Sequence, residues 1–115
     1  MSERHIRPET STDLEAIRHV NQLAFVQEEE ADLVDALRAG GYVRLSLVAE
    51  QGGKIVGHIL FSDLPIITAD GTAPALALAP MAVLPECQNQ GICSALVRSG
   101  LDECRQQGHT IVVVV

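Results

Sequence analysis

Aromatic residues are scarce in this chain. Its 115 residues include two Phe, one Tyr and no Trp, so no tryptophan is available as an anchor or a stacking platform. Because 47% of the residues are hydrophobic and only 3% are aromatic, the core must be built from Val, Leu, Ile and Ala. The composition is that of a globular protein and excludes a disordered chain. The length suits one domain, residues 1–115, around one core.

Basic residues are also few. Lys and Arg number 8 against 15 Asp and Glu, which gives a formal net charge of −7. Binding to nucleic acid needs clustered Lys and Arg, and no basic stripe is present, so we expect no nucleic-acid partner. An acidic surface weakly favours a cationic small molecule or a peptide amine as partner, although it also serves solubility alone.

Paired cysteine motifs and long apolar runs are absent. Cys87, Cys93 and Cys104 form an odd set without C-x-x-C spacing, which argues against a zinc site or a disulfide framework. We therefore expect no metal. The longest apolar run, residues 73–84, is about half of a membrane span and contains two prolines. Since residues 1–9 are polar and unlike a signal peptide, we expect a cytoplasmic protein with no membrane partner.

The pattern of apolar residues predicts the element order β-α-α-β-β-β-α-β. The right-handed crossover through the last helix makes its two flanking strands parallel, while the other strands are antiparallel. The predicted fold class is α/β, more strictly an α+β mixed sheet, with helices on both faces. The predicted elements are a strand at 5–7, a helix behind the capping box Thr12-x-x-Glu15, a helix from 28–30 to Gly40, strands at 44–50, 54–62 and 73–84, a helix at 91–107 and a strand at 111–115.

Two features suggest an anion site beside an opening in the sheet. Pro80 lies inside the apolar strand, and because proline cannot donate to a strand ladder we expect a bulge or a lost neighbour there. The segment Gln88–Val97 follows that strand and enters a helix. Its backbone N–H groups converge at the positive end of the helix dipole, which can hold a diphosphate without a basic side chain. No G-x-x-x-x-G-K-[ST] or G-x-G-x-x-G motif is present, so another type of nucleotide binder is disfavoured.

The element order and these motifs resemble the GNAT superfamily of acetyl-CoA-dependent N-acetyltransferases. Gln88-x-x-Gly91-x-Cys93 is similar to the family motif Q/R-x-x-G-x-G/A except at its last position, and Leu78–Glu86 matches as well. Two further segments resemble a bacterial small-acetyltransferase branch, namely Ala31–Arg38 and Val56–Ser62. Family members continue with another helix and two strands. The expectation is therefore one GNAT-like acetyl-CoA-binding domain over 1–115 that is incomplete at its C-terminus.

The resemblance implies where the cosubstrate acetyl-CoA binds. The pantetheine arm would pair with backbone groups freed by the bulge, at Met81, Ala82 and Val83. The diphosphate would be held by backbone N–H groups of Gln88, Asn89, Gln90, Gly91, Ile92, Cys93 and Ser94. Asn89 stands where the family often has a basic residue, which should weaken binding by about 1 kcal/mol. Cys93 is interpreted as a tolerated small residue in preference to a reactive thiol at a helix N-terminus.

The resemblance also implies direct attack of an amine on the thioester, with a base for the amine and an acid for the leaving thiolate. The weak candidates for the base are His58 and Glu29, although we favour a core role for the first and helix capping for the triplet Glu28–Glu30. The family's tyrosine acid would lie in the absent segment, and Tyr42 is interpreted as structural.

Two functions remain open at this stage. The first is an N-acetyltransferase that transfers acetyl from acetyl-CoA to a primary amine of a small molecule or peptide. The alternative is a truncated CoA-binding or interaction module with little or no activity, whose last strand, an exposed apolar edge, pairs with a second copy in a homodimer.

Overall fold

A computed structural model of the chain describes residues 4–25 and 28–115. Within these residues the chain forms three helices and seven strands, together with two short 3-10 turns. The helices are α1 (Leu14–Ala24), α2 (Glu29–Ala39) and α3 (Ile92–Gln106). The strands are β1 (Arg4–Pro8), β2 (Val43–Gln51), β3 (Lys54–Asp63), β4 (Ile66–Thr68), β5 (Gly71–Ala73), β6 (Leu76–Val83) and β7 (Val112–Val114). None of the helices within these residues is both long and apolar enough to cross a bilayer.

Five strands form the main sheet in the order β1-β2-β3-β6-β7, and β4 and β5 form a separate hairpin. The pairs β1–β2, β2–β3 and β3–β6 are antiparallel, and β6–β7 is parallel. The predicted mixed sheet is confirmed. The parallel pair β6–β7 follows from the connection through α3, because a helix that crosses over between two strands of one sheet leaves them running in the same direction.

Successive residues of β3 contact helices on opposite sides of the sheet. A Cβ built on Gly57 would lie 3.1 Å from side-chain atoms of Ile92 and Leu96, so α3 packs on that face. On the other face, Nδ1 of His58 lies 3.2 Å from Nδ2 of Asn21 in α1. The prediction of helices on both faces is confirmed, and the core between the layers is almost wholly aliphatic.

The start of the first helical segment differs from the prediction. The capping residue is Thr10, not Thr12: the Thr10 N–H donates to Asp13 Oδ2 at 2.7 Å. The reason is that Arg7 in β1 also holds Asp13, with 2.7 Å between Nη1 and Oδ2. The Arg7 guanidinium holds the pKa of that carboxyl well below its usual range. An ion pair across elements thus decides which carboxylate caps the helix.

The apolar segment at 73–84 also differs from the prediction. Ala73 pairs with Ile66 in the β4–β5 hairpin, while the strand in the main sheet begins only at Leu76. Pro74 separates the two because it has no N–H for a ladder. The last strand, predicted at 111–115, is limited to Val112–Val114.

Candidate functional site

The loop between β6 and α3 is shaped by two residues in the left-handed region of backbone space. After a 3-10 turn at Pro85–Cys87, Asn89 has φ 64° and Gly91 has φ 81°. Asparagine and glycine are the residues that tolerate this conformation best. The two positive φ angles turn the backbone sharply, so that α3 begins directly after Gly91.

The loop presents a run of unpaired backbone donors. The Cys87 N–H donates to Leu84 O at 2.8 Å, and the Ala95 N–H donates to Gly91 O at 3.0 Å. Between these two bonds, the backbone N–H groups of residues 89–94 have no hydrogen-bond acceptor among residues 4–25 and 28–115. The first N–H groups of a helix are unpaired by geometry and lie at its positive end. This stretch is therefore a site for an anion.

These donors border an open cavity of about 310 Å³, here called the loop cavity. Seven of its eight lining residues were expected at a cofactor site, and Cys87 is the addition. The lining residues are Val83, Cys87, Gln88, Asn89, Gly91, Ile92, Cys93 and Ser94. Gln88 has a second role, because its Nε2 donates to the Val83 carbonyl at 3.3 Å and so joins the loop to the end of β6.

The positively charged side chain of Arg4, in β1 near the N-terminus, lies close to the loop. The Arg4 Nη1 atom lies 3.9 Å from the position that a Cβ on Gly91 would take. The residues that line the loop cavity include neither Lys nor Arg. Sequence reasoning missed Arg4, because nothing in the local motif indicates that β1 comes close to the start of α3.

The predicted bulge in β6 is confirmed by its register with β3. Ile59 pairs with Met81 and Phe61 pairs with Leu78, so three steps along β6 match two steps along β3. The extra residue falls at Ala79–Pro80. β7 pairs only with residues 76–78, and beyond the bulge the edge at Met81–Val83 has no strand neighbour on the β7 side within the described chain. In an antiparallel pair, alternate residues point their N–H and C=O away from the partner, so part of this edge is open for hydrogen bonding.

A second cavity, of about 470 Å³, lies beside the bulge and is here called the bulge cavity. Eight of its nine lining residues are apolar, and the ninth is Glu30 at the start of α2. The lining residues are Phe25, Glu30, Leu33, Leu78, Ala79, Pro80, Met81, Val114 and Val115. The loop cavity contacts β6 at Val83 and the bulge cavity contacts it at 78–81, so the open edge of β6 runs between the two.

Neither of the two candidate bases lines either cavity. His58 is fully buried: its Nε2 lies 2.9 Å from Ser46 Oγ and its Nδ1 lies 3.2 Å from Asn21 Nδ2. Burial lowers the pKa of His58 to about 4, so the ring is neutral at pH 7. Glu29 is exposed on the first turn of α2. The acidic residue that does line one of these two cavities is its neighbour Glu30.

Comparison with known proteins gives consistent results. The family profile described as acetyltransferase (GNAT) domain matches residues 5–115. The N-acetyltransferase YjhQ of Escherichia coli K12 is 39% identical over 106 residues, which cover 90% of this chain and 59% of that protein. The N-acetyltransferase YhbS of the same strain is 32% identical over 111 residues, which cover 96% and 65%. The chain therefore spans roughly three fifths to two thirds of the length of these curated relatives.

Solved structures show the same likeness. A GNAT family acetyltransferase from Brucella melitensis, in complex with acetyl-CoA, superposes with a TM-score of 0.88 at 38% identity, over 97% of this chain and 75% of that one. YhbS from Escherichia coli, in complex with CoA, gives a TM-score of 0.90 at 31% identity, over 100% of this chain and 63% of that one.

Proposed function

Because the chain belongs to the GNAT family of acetyltransferases, we propose that it binds acetyl-CoA and belongs to an enzyme that transfers the acetyl group to a primary amine of a small molecule or peptide. The observation that carries the proposal is the run of unpaired N–H groups at 89–94 beside the open edge of β6. Relatives of known structure were solved with acetyl-CoA and with CoA. We propose that residues 1–115 form the cofactor-binding part of this domain.

The residues present fit the cosubstrate. The N–H groups of the loop and the Arg4 guanidinium suit a diphosphate, and among residues 4–25 and 28–115 no carboxylate lines the loop cavity to repel it. The open edge at Met81–Val83 offers the hydrogen-bonding groups that the amides of a pantetheine arm require. That arm would run from the loop cavity towards the bulge cavity. Acetyl-CoA would supply the thioester carbonyl, and the chain would bind and orient it.

The alternative function is CoA binding without turnover. The observation behind it is the outer edge of β7, where Val114 is 75% exposed and available to a second copy of the chain. The three free thiols, Cys87, Cys93 and Cys104, fit a reducing cytoplasm in either case.

The two functions are separated by measuring binding and turnover on the same chain. Isothermal titration with acetyl-CoA reports binding, and free-thiol release with a panel of primary amines reports transfer. We expect both. Binding without thiol release would leave only the CoA-binding function for this chain. Absence of binding at millimolar acetyl-CoA would contradict both functions.

The position of the cofactor in the loop is tested by Gly91→Ala. Gly91 has φ 81° and lines the loop cavity, where the backbone must approach the diphosphate closely and a Cβ would take up space. We expect affinity for acetyl-CoA to fall at least tenfold. Gly108→Ala is the matched control, since Gly108 has φ 91° and open space around its Cβ position at the far end of α3.

Both variants place a Cβ on a left-handed residue, at a cost of about 1 kcal/mol of stability. Thermal unfolding should therefore show similar losses, while only Gly91→Ala loses affinity. Equal affinities for the two variants would contradict a diphosphate at this loop.

A further inference from the structure

The bulge cavity contains one charged group that the fold leaves unsatisfied. Glu30 is half-buried, and its Oε2 atom is enclosed by protein without a hydrogen-bond partner among the described residues. A carboxylate oxygen removed from water without a partner is unfavourable, and buried polar atoms of native proteins are nearly always paired. Glu30 is therefore the acidic side chain at this cavity that would gain most from pairing with a cation.

The arginines on the neighbouring helices are engaged elsewhere. Arg18 on α1 binds Asp32 and Asp35, and Arg38 on α2 binds Glu9. Glu30 has no ion pair in the part of the chain that the structure describes. The group that would satisfy it is a cation that enters the cavity.

The other residues that line the bulge cavity are apolar, and they indicate the chemistry of the uncharged part of such a ligand. Leu33 and Phe25 come from the helices, and Leu78, Pro80 and Met81 come from the bulge. An apolar surface with one acid at its wall suits an ammonium group carried on an apolar body. The same bulge opens the edge of β6 along which the cosubstrate is proposed to lie, so the ammonium group would be held next to the thioester.

We propose that Glu30 binds the ammonium group of the acceptor and takes its proton, and that the acceptor is a primary amine with an apolar body. The inference rests on the proposed function. Glu30 accepts one proton from the ammonium and later releases it to water. The free amine attacks the thioester carbonyl, the new C–N bond forms, and the C–S bond breaks. The second proton leaves the amine nitrogen and ends on the departing thiolate, so that the amide and the free thiol are the products.

Binding of the ammonium is tested without turnover. Hexylamine and hexanol, which share one apolar body, are titrated calorimetrically into the wild type and into Glu30→Gln. We expect the variant to bind hexylamine at least tenfold more weakly and hexanol with unchanged affinity. Glu15→Gln is the matched control, because it removes the same charge from an exposed position on α1. Equal affinities of wild type and Glu30→Gln for hexylamine would overturn the proposal.

Proton transfer is tested by thiol release with hexylamine. We expect Glu30→Gln to lower kcat/KM about a hundredfold, with most of the loss in kcat, and Glu30→Asp to restore part of it. Unchanged kcat/KM in Glu30→Gln would overturn the catalytic role. The urea midpoint of Glu30→Gln should equal or exceed that of the wild type, because an unpaired charge is removed; a large loss of stability would instead indicate a structural role.

The failure of this inference is distinguishable from failure of the proposed function. Acetyl-CoA affinity should be similar in wild type, Glu30→Gln and Glu15→Gln, because the diphosphate is proposed to bind at the loop cavity, which Glu30 does not line. If the wild type binds no acetyl-CoA, the proposed function fails. If it binds acetyl-CoA but Glu30→Gln matches the wild type in every assay with hexylamine, only the role of Glu30 fails.

Discussion

At the scale of single residues, His58 gives the molecule a response to pH. The ring is 0% exposed and is bonded on both sides, to Ser46 and to Asn21. Burial lowers its pKa to about 4, whereas an unfolded chain has a histidine pKa near 6.5. Below pH 6.5 the unfolded chain therefore takes up a proton that the folded chain does not. Stability is complete above pH 6.5, falls as the pH falls from 6.5 to 4, and is constant below that with respect to this group.

The prediction is a loss of about 2 kcal/mol in the free energy of unfolding between pH 7.5 and pH 5 that is due to His58. Urea unfolding of wild type and His58→Gln at both values measures it, and the variant should lack this slope. His19→Gln, at an exposed position, should keep the slope of the wild type. A wild-type slope retained in His58→Gln would show that other groups cause the pH response.

At the scale of elements, the close contact of α3 with the sheet depends on a glycine, Gly100, at the point where the helix meets Phe61. A Cβ on Gly100 would lie 2.5 Å from Cε1 and 2.6 Å from Cζ of Phe61, a ring that is itself fully buried. Neither the ring nor the helix can move without opening the core, because protein interiors are close-packed. The glycine thus sets the distance between α3 and β3.

Gly100→Ala is predicted to lower the free energy of unfolding by about 1–3 kcal/mol, the usual cost of overpacking. The higher helix propensity of alanine offsets at most about 1 kcal/mol of the strain. Urea unfolding measures the change. Gln106→Ala, at an exposed position of the same helix, should stay within about 0.5 kcal/mol of the wild type. If the two variants are equally stable, the contact with Phe61 is looser than described.

Sequence periodicity located most of the elements but could not resolve contacts between them. β3 was predictable at 54–62 because a short, mostly apolar run rich in Ile, Val, Leu and Phe follows a Gly pair. The change of cap from Thr12 to Thr10 depends on the ion pair of Arg7 in β1 with Asp13, a contact between elements that sequence periodicity does not reveal. The hairpin of β4 and β5 was missed because each of its strands is only three residues long, too short to show a periodic pattern, and only Ala73 fell within a predicted strand.

The candidate site was predictable where a local motif carries it. The loop from Gln88 to Ser94 follows from a strand, a turn and a helix in sequence, and the bulge follows from a proline in a strand. The acid at the bulge cavity was not predictable. Neighbouring residues on a helix differ by about 100° in direction, so only packing decides that Glu30, and not Glu29, lies at the cavity wall.

At the scale of the whole molecule, the proposed cosubstrate and the protein carry charge of the same sign. The chain has a net charge of −7, and CoA is a polyanion through its phosphates. Binding therefore depends on local groups that overcome a repulsive overall field. At the proposed site, those groups would be the unpaired N–H donors of the loop and the guanidinium of Arg4. The same protein can repel anions over most of its surface and attract one at this loop, because exposed charges are screened beyond about 10 Å at 0.1 M salt.

Two variants that each remove one positive charge distinguish the effect of a local charge on CoA affinity from the effect of net charge. Arg4→Gln should weaken CoA binding about fivefold, since one partly exposed charged contact contributes about 1 kcal/mol. Arg105→Gln, exposed at the far end of α3, should have almost no effect. Titration calorimetry at 0.05 M and 0.5 M NaCl measures both, and the deficit of Arg4→Gln should shrink at high salt as the contact is screened. Equal losses in the two variants would mean that net charge, and not the position of Arg4, determines the affinity.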